Sequence, residues 1–184
     1  MPRHPRCAST VSSLSRTVYS TLAAKARQRE GPCFPLHVGD TWLEPYPAAR
    51  AEAQRTAEHP HLHTYAPVGG EPVLRDAIAR RLLRDHDVEL DAGCLQVVSG
   101  ATVGLSVVCQ ALLDPGDEVL IPTPYWPLIR GTVASRGAVP VEVRFWERLS
   151  DTGFDAVAAL EAAVTNRTAA LYVNSPNNPT GSIL

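Results

Sequence analysis

Residues 97–126, VVSGATVGLSVVCQALLDPGDEVLIPTPYW, contain the pattern that decides the fold. A short apolar strand ends at Ser99, Gly100 allows a tight turn, and an apolar helix begins directly after it. DPGD at 114–117 predicts a turn, and EVLIP at 118–122 predicts a second apolar strand. Strands that alternate with helices at this spacing are typical of a layered α/β fold with a mainly parallel sheet.

The same alternation continues on both sides of this stretch. Upstream, residues 71–87 place apolar side chains at helical spacing. Downstream, a helix is predicted up to Gly137, a residue type that often ends helices. Further elements follow in the order strand, helix, strand, over residues 138–145, 154–165 and 169–175. The predicted fold class is therefore α/β, with helices flanking a mainly parallel sheet.

The N-terminal third is less regular. A helix is predicted over Leu14–Arg29, and one more over residues 48–58 in a segment rich in Pro and His. The first 29 residues contain no acid and several Arg and Ser, which favours an N-terminal arm and leaves a targeting segment as the alternative. Because no apolar core of a secretory signal is visible, a cytoplasmic location is expected.

Composition narrows the function classes. Of 184 residues, 45% are hydrophobic and 20% are charged, as in globular proteins. A net charge of -2 gives no reason to expect nucleic acid or an anionic membrane as partner. The four cysteines have no metal-site spacing and are interpreted as buried or incidental thiols: Cys7, Cys33, Cys94 and Cys109. No metal site is predicted at His59–His63 either, because Pro60 interrupts the spacing.

Ligands of open α/β sheets bind beyond the carboxyl ends of the strands. The turn at Gly100 exposes the first N–H groups of a helix, an arrangement that suits a phosphate and is also common in plain strand-to-helix turns. Tyr125 and Trp126 follow a strand end and can either fill the core or stack on a planar cofactor. At residues 174–181, NSPNNPTG, prolines stiffen the backbone and asparagines can point donors into the crevice. RFWE at 144–147 is the remaining strand end.

Together these motifs resemble the class I/II aminotransferases, fold-type I enzymes that use pyridoxal 5′-phosphate (PLP). The resemblance extends from about Leu36 to the last residue. It depends on PNNPTG, on YAPVGGEPVLRDAIA at 65–79, and on SGAT and DPGDEVLIPTPYW in the family's order and spacing. It implies amino-group transfer from an amino acid to a 2-oxo acid, in a homodimer.

The resemblance also implies roles for individual residues. Ala101 and Thr102, after Gly100, match the pair that holds the cofactor phosphate. Trp126 matches the aromatic residue that stacks on the pyridine ring, and Asn178 matches the asparagine that donates to the ring's phenolic oxygen. Tyr65 matches a tyrosine that reaches the cofactor phosphate of the neighbouring subunit, and Gly39 matches a glycine near the substrate carboxylate.

In the family, the lysine that forms the Schiff base lies well beyond the NPTG turn, as do the partner of the pyridinium nitrogen and the arginine that binds the substrate carboxylate. The only lysine here is Lys25, in the predicted N-terminal helix, so no catalytic residue is assigned. The resemblance implies that residues 1–50 form an arm and small-domain segment and residues 51–184 the first part of the PLP-binding large domain. It also implies that later strands pair with the strand at 95–99.

We therefore expect an N-terminal portion of an aminotransferase, inactive by itself. Three alternatives stay open at this stage. One is another fold-type I PLP enzyme, such as a C–S lyase or a cyclopropane-forming synthase. The others are a non-catalytic remnant and a PLP-binding regulatory module, although regulators of that type carry a helix-turn-helix domain ahead of the fold and no such pattern precedes Pro32.

Overall fold

A computed structural model describes residues 43–184 continuously, together with the isolated residues 7, 10, 11, 25, 28, 30–32 and 39. The helix predicted over Leu14–Arg29 falls almost wholly outside these residues. Backbone contacts divide the chain into two compact units, one containing residues 43–98 and the other residues 99–184. The predicted domains 1–50 and 51–184 stay a prediction.

The unit at 43–98 is mostly helical. Helix α1, Pro47–Ala53, and a short 3-10 helix at Thr56–Glu58 occupy the segment where one helix was predicted. Helix α2, Pro72–His86, begins with proline in its first turn, where the missing N–H costs nothing. It ends at Asp87, which adopts the left-handed conformation with φ 54°. None of the described residues of this unit is buried.

A glycine turn follows the exposed Tyr65 segment and precedes α2. Gly70 has φ 98°, and a Cβ there would lie 2.4 Å from Cγ2 of Val97, so both the backbone and the space require glycine. The N–H of Val97 donates to the carbonyl of Gly69 at 3.0 Å, and Gln96 Nε2 donates to the carbonyl of Val68 at 2.6 Å. The chain at 95–98 is thereby fixed against the turn.

The prediction of a strand at 94–99 is wrong for this structure. Ala92–Cys94 forms a 3-10 helix, and residues 95–98 contain no strand. The apolar pattern was present, but a strand needs a neighbouring strand to accept and donate its backbone hydrogen bonds. Here Val97 bonds to a turn instead.

The unit at 99–184 contains a parallel three-stranded sheet. Strand β1, Glu118–Thr123, lies in the centre, with β2, Val139–Arg144, on one side and β3, Thr168–Leu171, on the other. The β1–β2 register runs from Glu118 opposite Val139 to Thr123 opposite Arg144. The β1–β3 register shifts after Glu118 and ends with Leu120 opposite Leu171. Three strands predicted from sequence are thus confirmed.

Helices connect these strands and cover the sheet. They are α3, Ala101–Leu112; α4, Leu128–Ala134; a 3-10 helix, Trp146–Arg148; and α5, Ala156–Glu161. Alternate residues of β1 point to opposite faces. Val119 and Ile121 pack with buried residues of α3 and α4, such as Cys109 and Val133, in one apolar cluster. Leu120 lies on the other face, where a concavity is also lined by Leu160 of α5. The predicted fold class is confirmed as α/β with a parallel sheet and flanking helices.

The amino end of the sheet is closed by an ion pair. Glu118 is 4% exposed, and its carboxylate accepts hydrogen bonds from Thr165 Oγ1 at 2.6 Å and from Arg167 Nε at 2.9 Å. The N–H of Glu118 also donates to the carbonyl of Arg167 at 2.8 Å. These donors, first the Thr165 hydroxyl and then the guanidinium, lower the pKa of Glu118 below its usual value.

Candidate functional site

The carboxyl ends of the three strands lie at one edge of the sheet, because the strands are parallel. The segments that follow them are 124–127, 145–148 and 172–181. Two of these contain residues predicted to bind a cofactor, Trp126 and Asn178. The remaining segment, 145–148, begins with two core residues, Phe145 and Trp146.

The helix predicted to bind phosphate begins where the sequence places it. Gly100 precedes α3 with φ 110° and ψ 158°, and the N–H of Gly104 donates to its carbonyl at 3.1 Å. A Cβ at Gly100 would meet no atom within 4 Å, so the positive φ alone requires glycine. Ala101 and Thr102 are exposed in the first turn, where backbone N–H groups have no partner within the helix.

The NPTG turn is held by its own hydrogen bonds. The N–H of Asn177 donates to the carbonyl of Ser182 at 2.8 Å, and the N–H of Gly181 donates to the carbonyl of Asn177 at 2.7 Å. Asn174 Oδ1 accepts from the N–H of Asn178 at 2.9 Å. Asn178 itself is exposed, and its side chain makes no hydrogen bond to any residue that the structure describes. Hydrogen bonds therefore hold the backbone of the turn, while the amide predicted to contact the cofactor is available.

Segment 124–126 is anchored at each of its residues. The carbonyl of Pro124 accepts from Asn177 Nδ2 at 3.1 Å, and the hydroxyl of Tyr125 donates to Glu142 Oε1 at 2.6 Å. The carbonyl of Trp126 accepts from the N–H of Ile129 at 3.3 Å. Trp126 is half-buried. Its backbone position is therefore fixed from the NPTG turn, from β2 and from α4.

Tyr125 and Trp126 have different surroundings, which the sequence did not separate. The Tyr125 ring packs against the core cluster, and burial followed by the Glu142 hydrogen bond raises its pKa to about 12. Arg130 Nε lies 3.4 Å from the same Glu142 oxygen. Tyr125 is therefore a neutral hydrogen-bond donor at physiological pH.

The segment after β2 belongs to the core. Phe145 and Trp146 are 3% and 4% exposed, and their rings meet edge to face with centroids 5.3 Å apart. Arg148 lies over the ring of Phe154, with 4.4 Å from Cζ to the centroid. The strand end RFWE thus supplies packing.

The structure brings some of the predicted residues together. Trp126 and Asn178 lie on segments joined directly through Asn177 and Pro124. Ala101 and Thr102 belong to the same unit, on a helix that packs against α4. Their common contact with one ligand stays a prediction, as do the roles of the two exposed residues of the other unit, Tyr65 and Gly39.

Two residues that hold the site, Asn177 and Glu142, were not predicted from the sequence. Asn177 is 3% exposed and holds the turn, whereas the prediction singled out its neighbour. Glu142 is a charged residue between two valines in the strand VPVEVR, which is the one signal that pointed to a specific partner. The identity of that partner depended on the β1–β2 register and on the loop after β1.

Other candidate sites are weaker. Among residues 43–184 and the isolated described positions, no group of three or more His, Cys, Asp or Glu side chains could hold a metal ion. His59 Nε2 lies 2.9 Å from Glu52 Oε1, a carboxylate brought near by folding. Cys7 and Cys94 are exposed, Cys109 is buried, and Cys33 is outside the described residues. None of the described helices is long and apolar enough to cross a membrane.

Known proteins match this chain over most of its length. Residues 32–184 match the family described as aminotransferase class I and II. An aspartate aminotransferase of Streptomyces avermitilis is 36% identical over 99% of this chain and 45% of its own length. A probable aspartate aminotransferase of Streptomyces griseus is 35% identical over 99% of this chain and 85% of its own length.

The structural comparison agrees with the sequence comparison. A single mutant of Thermus thermophilus aspartate aminotransferase superposes with a TM-score of 0.86 and 32% identity, covering 98% of this chain and 47% of that one. The chain therefore spans about half the length of that enzyme and of the Streptomyces avermitilis relative.

Proposed function

Because this chain belongs to the class I and II aminotransferase family, of the PLP fold type I, we propose that it supplies the cofactor-binding portion of a PLP-dependent aminotransferase. One observation carries the proposal. Asn177 ties the segment with Trp126 to the turn with Asn178 at the carboxyl edge of the sheet, where open α/β folds bind ligands. The two residues that match the family's ring-stacking and ring-bonding positions are thus on connected segments, which supports the proposal.

The first turn of α3 fits the phosphate. Gly100 turns the backbone so that the N–H groups of Ala101 and Thr102 open the helix, and the space beside its Cα is free of other atoms within 4 Å. The helix has 12 residues, which is long enough for its amino end to have the partial positive charge of a helix dipole. Ala101 and Thr102 would bind phosphate oxygens through their N–H groups, with the Thr102 hydroxyl as a further donor.

The pyridine ring of PLP would lie between Trp126 and the turn at 174–181. Trp126 would stack on the ring, and the Asn178 amide, which has no other partner among the described residues, would donate to the phenolic oxygen. When bound, PLP supplies an electron-poor ring that stabilises negative charge on the substrate's α-carbon. Trp126 and Asn178 would orient that ring and keep water from its face.

Substrates and assembly follow from the family. We infer an amino acid and a 2-oxo acid as substrates, a homodimer, and a cytoplasmic location. Tyr65 is fully exposed, as a residue that reaches the partner's phosphate would be, and Gly39 is proposed near the substrate carboxylate. Since Lys25 is the only lysine of the sequence, we expect no turnover above that of free PLP from the 184-residue chain alone.

The proposal is tested by titrating the chain with PLP and following the cofactor's absorbance. A Lys25→Arg background removes the side-chain amine that reacts with aldehydes. Loss of one hydrogen bond in Asn178→Ala should weaken binding about fivefold and shift the absorbance. Asn166→Ala, an exposed asparagine before β3, is the matched control and should change neither. Equal affinity and spectra in all three proteins would contradict the proposal.

A further inference from the structure

Asn177 has an unusual position for a polar side chain. It is 3% exposed, and its Nδ2 donates to the carbonyl of Pro124 at 3.1 Å and to Thr180 Oγ1 at 2.9 Å. Its Oδ1 is buried without a hydrogen-bond partner among the described residues. Burying an amide whose oxygen has no hydrogen-bond partner costs free energy. The two hydrogen bonds of Nδ2 therefore indicate a role for Asn177 beyond packing.

The partners fix the orientation of this amide. The Pro124 carbonyl can only accept, and Thr180 Oγ1 donates its own hydrogen to Ser182 Oγ at 2.9 Å. The Pro124 carbonyl therefore requires a donor from Asn177, and Thr180 Oγ1, whose hydrogen points to Ser182, accepts the second one. A rotated amide would bring its oxygen against these two acceptors, so both hydrogens of Nδ2 are used at this position.

The bond to Pro124 lies where the sheet no longer connects the two segments. The last pair between β1 and β3 is Leu120 with Leu171, and β1 continues to Thr123. Tyr172 still donates its N–H to the Leu120 carbonyl at 2.9 Å. Beyond that point, the hydrogen bond from the Asn177 side chain to the Pro124 carbonyl connects the end of β1 to the segment after β3.

We propose that Asn177 is a positioning residue that couples segment 124–126, with Trp126, to the turn with Asn178, so that the two candidate ring contacts keep one spacing. The purpose of the coupling rests on the proposed function. The coupling itself is a property of the chain without ligand. Asn174 Oδ1 accepts a hydrogen bond from the N–H of Asn178 within the turn, so the Asn178 side chain moves when the turn moves.

The test uses Asn177→Asp and fluorine NMR of the chain labelled with 5-fluorotryptophan, without PLP. At neutral pH the introduced carboxylate faces two acceptors, so the link to Pro124 is lost and the Trp126 resonance should shift or broaden. Burial raises the pKa of a carboxylic acid above its usual value of about 3.9. As the pH falls through that pKa, the neutral acid can donate one bond, and the resonance should return toward the wild-type position.

Two controls separate coupling from general damage. Trp146, buried in the core, is the internal reference and should keep its resonance. Asn166→Asp, on an exposed turn, makes the same change of charge and should leave all tryptophan resonances unchanged. The same pH series is recorded on the wild-type chain and subtracted, because Glu142 bonds to Tyr125 next to Pro124 and is present in both proteins.

The uncharged variant Asn177→Ala keeps the test decisive if the acid unfolds the chain. It should displace the Trp126 resonance at every pH, without the return at low pH. Displacement of Trp126 with Trp146 unchanged supports the proposal. An unmoved Trp126 resonance, or equal changes at both tryptophans in both variants, overturns it. Because no PLP is present, this result is independent of whether Asn178→Ala weakens PLP binding.

Discussion

The two ends of the parallel sheet contain different kinds of polar interaction. At the amino end, the buried carboxylate of Glu118 is satisfied by Thr165 and Arg167. At the carboxyl end, the bonds that fix the backbone come from the neutral groups of Asn177 and Tyr125. The Glu118 carboxylate at the amino end thus has its partners within the chain, whereas the exposed Asn178 amide at the other end has none among the described residues.

This difference follows from the direction of the strands. All strands begin at one edge and end at the other, so the loops after the strands meet at the carboxyl edge. Side-chain hydrogen bonds fix those loops, while the first turn of α3 and Asn178 stay exposed. An edge with a fixed backbone and exposed donors is suited to a ligand. We propose that the amino end serves stability and that the carboxyl end serves binding.

The largest effect on stability is expected from Glu118→Ala. The change removes the acceptor of both Thr165 and Arg167 and leaves a gap beside the first residue of β1. The midpoint of thermal unfolding, followed by circular dichroism, should fall by several degrees. PLP affinity, measured well below that midpoint, should be nearly unchanged. A large loss of PLP affinity in a folded Glu118→Ala variant would contradict the assignment of stability to the amino end and binding to the carboxyl end.

Trp126→Ala should produce the converse result. Loss of ring stacking should weaken PLP binding about two- to tenfold, because aromatic pairs contribute about 0.5–1.5 kcal/mol beyond area burial. The half-buried side chain should contribute less to the thermal midpoint than Glu118 does. The comparison is best made with Trp126→Phe, which keeps a ring and should retain most of the affinity. Unchanged affinity in Trp126→Ala would assign the tryptophan to the core alone.

A pH series of urea unfolding should separate the ends again. The pKa of Glu118 is lowered in the folded state, so its stabilisation is present above the usual value of 4.5 and is lost as the pH falls through the folded pKa. The pKa of Tyr125 is raised from 10.0 to about 12, so its stabilisation is present below pH 10 and is lost between about 10 and about 12.

Single variants assign these two limbs. Glu118→Gln should reduce the acid loss of stability and leave the alkaline loss, while Tyr125→Phe should do the reverse. The difference between each variant and wild type removes the contribution of the other titrating groups. An alkaline limb that persists undiminished in Tyr125→Phe would show that the Tyr125 hydroxyl is not held as described.

The smallest effect is expected from Arg130→Ala. Arg130 and Glu142 form a pair at 3.4 Å in which both side chains are 49% exposed, and such pairs contribute about 0–1 kcal/mol. The free energy of unfolding should change by less than about 1 kcal/mol. PLP affinity should stay the same, because Tyr125 keeps its own bond to Glu142. A larger change would mean that the guanidinium helps to fix segment 124–126.

Sequence patterns predicted the elements of residues 99–184 well, because each strand there has a parallel neighbour and each helix an apolar face to cover. They failed at 94–99, where the run of apolar residues is typical of a strand but no strand of the described residues lies beside it. They singled out Asn178 and Trp126 through motifs, and the cofactor roles of these two residues stay a prediction. They could not identify Asn177 as the connection, since its bond to Pro124 spans 53 positions and depends on where β3 stops pairing with β1.

We propose above all that the carboxyl end of the sheet binds the phosphate and ring of PLP. The most direct test is a ¹H–¹⁵N NMR titration of the chain with pyridoxine 5′-phosphate, which has the ring and phosphate but no aldehyde, and with pyridoxine as control. The phosphate form should shift the amides of Ala101 and Thr102, the Trp126 indole N–H and the Asn178 side-chain amide. Pyridoxine should shift Trp126 and Asn178 but not the two α3 amides. Shifts confined to other residues, or identical α3 shifts with both ligands, would contradict the account.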